Sequence, residues 1–135
     1  MSLTHIRAAL ESRLGTVTPV ISTAYENVAF VPVMDAPYQR AHLLPAMPQN
    51  PTMGRSFHRD IGMFQVMLCY PLQTGAGAAE AQAELIRTAF SRGTTLTHGD
   101  VTVCIDRTPQ ITALPNEDER FIVVVRIQYR ADIFE

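Results

Sequence analysis

From Ile61 to Tyr70 the chain is almost continuously apolar, and alternate positions sort into two greasy sets. Ile61, Met63, Met67 and Cys69 fall on one side; Phe64, Val66, Leu68 and Tyr70 fall on the other. A strand apolar on both sides is expected at the centre of a sheet, covered above and below. Gln65 is the polar residue inside the run, and Pro71 ends it because proline has no N–H for a ladder. A helix starting within residues 74–77 and running to about Phe90 can fold back over that sheet. Ala79, Ala83, Ile86 and Phe90 form its buried stripe. Ala78, Ala81, Leu85 and Ala89 lie beside it, a strip that could be left free for a neighbouring subunit.

The same reading extends along the chain. Leu3, Ile6, Leu10 and Leu14 repeat at three and four residues, predicting a first helix capped by Ser2 or Thr4 and stopped at Gly15. Arg7, Glu11 and Arg13 are expected to face water. Residues 23–30 have strand-like content, inside a stretch, 16–37, that Pro19, Pro32 and Pro37 break into short pieces. Residues 39–44 read as a strand. Residues 45–56, with three prolines and a glycine, read as a long extended loop and a candidate contact arm. Residues 94–96 and 101–106 form a hairpin turning at His98, Gly99 and Asp100. Residues 108–120 are expected to be an exposed loop, with Glu117, Asp118 and Glu119 at its tip. The last strand, 121–131, places Phe121, Val123, Val125, Ile127 and Tyr129 on one face and Arg126, Gln128 and Arg130 on the other. Ile133 and Phe134 then put apolar groups on a terminus that would normally fray.

Length bounds this to one domain spanning residues 1–135, and the elements read as α+β. The chain is large enough to bury a core without metal or disulfide. Its net charge of −2 argues against a phosphate-gripping nucleic-acid binder. All eleven basic residues are arginine, a bias that suits interfaces and that a GC-rich genome also produces. Cys69 and Cys104 fall in strands, away from any CxxC spacing, and read as thiols in a reducing compartment. The first residues lack the apolar core of a signal peptide, and no apolar run reaches membrane-spanning length, so a cytoplasmic location is expected where the protein is made.

No catalytic, metal or cofactor residues are predicted. The histidines at 5, 42, 58 and 98 sit in no nucleophile elbow or HxxxH spacing. His58, Arg59 and Asp60 make a local polar cluster at a strand start. Gly75 and Gly77 open a helix but lack the rest of a phosphate-binding fingerprint.

The segments AYENVAF, PYQRAHLLPAMPQNPTMG, GMFQVMLCYP, GAGAAEAQAELI, RGTTLTHGDVTVCIDRTP and RIQYRADIF together resemble the phage and prophage tail terminators, the tail completion proteins of long-tailed phages. The resemblance covers nearly the whole chain. It implies a mixed or mostly antiparallel sheet with both helices packed on it, and a ring former, usually hexameric, that caps the tail tube and meets the head–tail connector. The ring can require the tail tip as a template, the virion tail being its final location. Partners are then a second copy, the tail tube protein and the connector, with no specific nucleic-acid or membrane binding. Arg40, Met47, Met53, Arg55, Arg59, Ile133 and Phe134 are the candidate interface; Glu117, Asp118 and Glu119 are the candidate lining of the channel. Two alternatives stay open. One is another tail or neck component of the same fold. The other is a small bacterial ligand-binding domain with a pocket between the second helix and the sheet, lined by Gln65 and His42.

Overall fold

The computed structural model describes residues 2–18, 21–32, 36–72, 76–117 and 120–134. Its elements run α1 (Ser2–Leu14), β1 (Ser22–Ala24), β2 (Tyr38–Pro45), β3 (Phe57–Pro71), α2 (Gly77–Ala89), β4 (Thr95–His98), β5 (Val101–Cys104), β6 (Gln110–Glu117) and β7 (Arg120–Phe134). The sheet order is β1-β2-β3-β7-β5-β4, with β6 also on β7. Every pairing is antiparallel except β1 with β2. The architecture is the expected α+β fold.

The spine is β3 against β7, paired from Phe57↔Phe134 to Pro71↔Arg120. On the other edge of β7, β5 takes Arg130 and Ala131, and β6 takes the stretch from Arg126 to Arg120. Residues 105–109 bow outward between them, so β5 and β6 act as one interrupted strand.

That arrangement corrects the reading of residues 108–120 as a loop. Ile111 and Ala113 pair with Val125 and Val123, and the register slips between Leu114 and Glu117. Pro115 falls inside the slip, where a residue without an N–H does least damage to a ladder. The proline and the polar tip disguised a strand. Residues 23–30 depart in the opposite sense: only Ser22–Ala24 is a strand, and the chain turns through Asn27 at φ 59°. The turn brings the Glu26 carboxylate to accept the Leu43 N–H on the outer edge of β2, while Arg7 donates to it at 3.0 Å. The C-terminus is also firmer than expected. Ile133 is half-buried opposite His58, and strand pairing continues to Phe134.

Both helices cover one face of the sheet. Ile6, Leu10 and Leu14 from α1 meet Ala79, Ala83 and Ile86 from α2, with Phe90 just beyond it, over Phe64, Val66, Val123, Val125 and Ile127. All are buried, because each stripe has a hydrophobic partner surface. Leu3 stays half-exposed at 48%. Glycine is required at two contacts. A Cβ on Gly62 would lie 2.6 Å from the Tyr129 hydroxyl and 2.7 Å from the Leu44 carbonyl oxygen, so its absence lets Tyr129 lie across β3. Gly99, at φ 62°, makes the tight β4–β5 turn, and the His5 ring of α1 occupies the space its Cβ would need.

The second face of β3 is not covered as the pattern predicted. No helix lies on it among the described residues, and Ile61, Met63, Gln65 and Met67 are only half-buried.

Candidate assembly surface

Strand alternation and register decide what this open face displays. Arg40 on β2, Arg59 on β3, and Arg120, Arg126 and Arg130 on β7 all point away from the helices. Arg107 joins them from the 105–109 bow, lining the same concavity as Arg59 and Arg130. Six of eleven arginines therefore gather on one side of a chain whose net charge is −2. Beside Arg59 and Arg130 stand the carboxylates Asp132 and Asp106. Arg59 Nε donates to Asp132 Oδ1 at 2.7 Å, Arg126 Nε to Gln65 Oε1 at 3.3 Å, and Arg130 Nη1 lies 4.0 Å from Asp106 Oδ2. Arg130 Nε is buried with no hydrogen-bond partner among the described residues.

The two halves of the face differ. At the Arg120 end, Tyr38, Cys69, Ile122 and Val124 make a small second core, roofed by Phe30. The guanidinium carbons of Arg40 and Arg120 lie 5.6 and 5.1 Å from the centre of the Tyr38 ring. Burial, reinforced by the Cys69 thiol, pushes the Tyr38 phenol above its ordinary 10.0, so the ring stays neutral. Toward the other end the face opens into a groove of about 550 Å³. Leu44, Ile61 and Met63 form its apolar floor, with Arg59, Arg107 and Arg130 around it.

Beyond the groove, the β2–β3 connection folds back on itself. Gln49 and Arg59 exchange backbone hydrogen bonds at 2.8 Å, leaving residues 50–56 as a projecting tip. Met47 is 85% exposed and Met53 wholly so. Phe57 and Phe134, cross-strand partners with rings 4.9 Å apart, finish the same end of the sheet. Exposed Met47, Met53 and Phe134 thus gather at one end of the sheet.

Comparison with known proteins identifies what kind of molecule carries these surfaces. A family model described as "Phage tail terminator protein" matches residues 5–129. The chain belongs to that family. It is a phage-tail structural protein. No curated protein matches it. One solved chain, 25% identical, superimposes with a TM-score of 0.79, covering 100% of this chain and 99% of its own. A chain in the structure titled "Virion of native gene transfer agent (GTA) particle" is 14% identical, with a TM-score of 0.66 over 99% of this chain and 98% of that one. That second likeness is one of fold.

The residues singled out from sequence fall into three places. Met47, Met53, Arg55, Ile133 and Phe134 share the arm end of the β3–β7 ribbon, and Arg59 lies just inside it, already paired with Asp132. Arg40 stands opposite Met67, eight residues along β3 from Arg59, or roughly 26 Å at the usual strand rise. Glu117 pairs with Arg120 at the far end of β7, roughly 45 Å from Phe134 on the same scale; Asp118 and Glu119 lie outside the described residues.

The ligand-pocket alternative expected a cleft between α2 and the sheet. That contact is instead filled by Ala79, Ala83 and Ile86, while the groove lies on the opposite face, with neither Gln65 nor His42 on its lining. The polar cluster at 58–60 does not converge either. His58 Nε2 faces Asp60 Oδ1 at 3.3 Å on one side of β3, and Arg59 turns to the other. No group of three or more potential metal ligands occurs among the described residues, and neither helix is long and apolar enough to cross a membrane.

Sequence reading missed the gathered arginines. Arg126 and Arg130 were legible as one polar side of a strand, but Arg40, Arg59, Arg107 and Arg120 look scattered until strand register aligns them.

Proposed function

We propose that this chain terminates the phage tail: copies close into a ring, a hexamer in the usual arrangement, on the finished tail tube and present a docking face to the head–tail connector. The family match over residues 5–129 carries this reading. The contact-rich arm end supports it. A ring formed head-to-tail needs two different complementary patches on each copy, and a stable contact buries on the order of 800 Å² per partner. Residues 46–56 with Phe134 provide one extended element for such contacts. The acidic run Glu117, Asp118 and Glu119 suits a channel through which DNA slides without adhering. The protein works by shape and performs no bond-making; it is made in the host cytoplasm and ends in the virion tail.

The test is electron microscopy of tails assembled with and without the protein. Tails of uncontrolled length, or tails that fail to join heads, are expected in its absence. Normal joined particles without it would refute the proposal. Deleting residues 47–54 should leave a folded chain that no longer assembles, and rings formed by that deletion would remove the arm from the interface.

A further inference from the structure

We infer that the arginine-bearing open face of one copy receives the outward strip of α2 from the next copy. This rests on the ring reading and specifies which two surfaces meet. The groove supplies half of the argument. Its floor is apolar (Leu44, Ile61, Met63), its surround carries Arg59, Arg107 and Arg130, and Arg126 lies on the same face. At the groove, Arg59, Arg107, Arg126 and Arg130 stand against Asp106 and Asp132, a local excess of positive charge on a chain that is negative as a whole.

The complement is on the opposite side of the same molecule. α2 buries Ala79, Ala83 and Ile86, which leaves Ala78, Glu80, Ala81, Glu84, Leu85 and Thr88 facing outward. The strip is narrow, since two alanines let a partner's backbone come close. It carries one apolar knob, Leu85 at 42% exposure, and two exposed carboxylates, Glu80 and Glu84; the half-buried Arg87 is turned to the Pro109 carbonyl and Arg13 to the Ala89 carbonyl. An apolar floor with cationic surroundings fits an apolar knob flanked by carboxylates. Because the two patches lie on opposite sides of one protomer, their contact is front to back, a heterologous contact that forms a ring when the rotation from copy to copy closes. Duplex DNA would satisfy the arginines but would leave the floor without an apolar partner, and Asp106 and Asp132 would repel its phosphates.

Charge reversal with reciprocal rescue tests this. Four proteins are compared by sedimentation velocity at low salt, in a concentration series reaching millimolar: wild type, the back-reversed Glu80→Arg/Glu84→Arg, the front-reversed Arg107→Glu/Arg126→Glu, and the protein carrying all four changes. All these positions are exposed or half-buried, and thermal melts confirm that each variant folds. Wild type is expected to self-associate, more weakly as salt screens the pair. Each single-surface reversal should stay monomeric. An equimolar mixture of the two reversals should associate again by alternating, and the four-fold variant should associate alone. Association that survives either reversal overturns the contact, as does failure of the mixture to recover.

If wild type stays monomeric at millimolar concentration, the four proteins are scored for capping tails instead: single-surface reversals that still cap overturn this contact and leave the terminator reading standing. A chain that associates by the predicted rules but is never found on tails does the reverse. Binding of a duplex oligonucleotide that Arg107→Glu/Arg126→Glu abolishes, with no self-association, overturns it in favour of DNA.

Discussion

Phe64 and Met63 are adjacent in β3, yet Phe64 is wholly buried beneath the helices and Met63 helps floor an open groove. The covered face follows one rule: two amphipathic helices and three long strands exclude water and leave few polar groups to satisfy. On the open face, apolar floor and arginines are interleaved, partly neutralised by Asp106 and Asp132. A face that only had to fold would not need that mixture. The contrast separates what stabilises the chain from the face on which the proposed contact between copies is placed.

The sharpest way to break the comparison is to truncate both neighbours. Phe64→Ala should cost about 3–5 kcal/mol in urea denaturation, and Met63→Ala about 1 kcal/mol. Equal losses would mean that the open face is also core. The next largest effect is alkaline. Burial, with the charge of Asp60 added, pushes Tyr129 up to about 12 from 10.0, and Tyr38 and Tyr70 shift the same way. The folded state keeps its proton after the unfolded state has lost it. Stability is therefore full below pH 10 and falls as pH rises toward 12. Tyr129→Phe should flatten that fall by about 2 kcal/mol, read from unfolding midpoints across the range.

Gly62→Ala forces a Cβ against Tyr129 and the Leu44 carbonyl, where the two faces meet at one residue. It should cost about 1–3 kcal/mol; a neutral result would show that Tyr129 can move aside. A smaller effect belongs to the edge of β2. The Leu43 N–H, helped by Arg7, holds the Glu26 carboxyl below its ordinary 4.5. Its contribution is present above that value and fades as pH falls below it. Because Glu26 is about a third exposed, Glu26→Gln should cost under about 1 kcal/mol at neutral pH and blunt the acid response. Smallest of all is Arg126→Glu on the open face. It should leave the folding free energy within about 0.5 kcal/mol of wild type while weakening self-association.

What the sequence made legible follows the same division. The α1 stripe of Ile6, Leu10 and Leu14, the α2 stripe of Ala79, Ala83, Ile86 and Phe90, and the β3 alternation all predict the covered face, because helix and strand periods are local properties. β6 escaped notice because Pro115 and the acidic run imitate a loop, and only pairing with β7 gives its residues a ladder. For the assembly surface, the projecting arm was legible in its prolines and methionines. The gathered arginines were not, since three strands and a bow must be brought into register before Arg40, Arg59, Arg107, Arg120, Arg126 and Arg130 share a side. Apolar alternation in β3 does not reveal whether its cover comes from the same chain or from a neighbour.

A cryo-electron-microscopy reconstruction of the capped tail tests the account most directly. Copies should sit side by side around the tail axis, with Leu85, Glu80 and Glu84 of one lying over Ile61, Met63 and the arginines of the next. A ring in which that groove faces solvent or the channel, or a tail end carrying no copy, would contradict it.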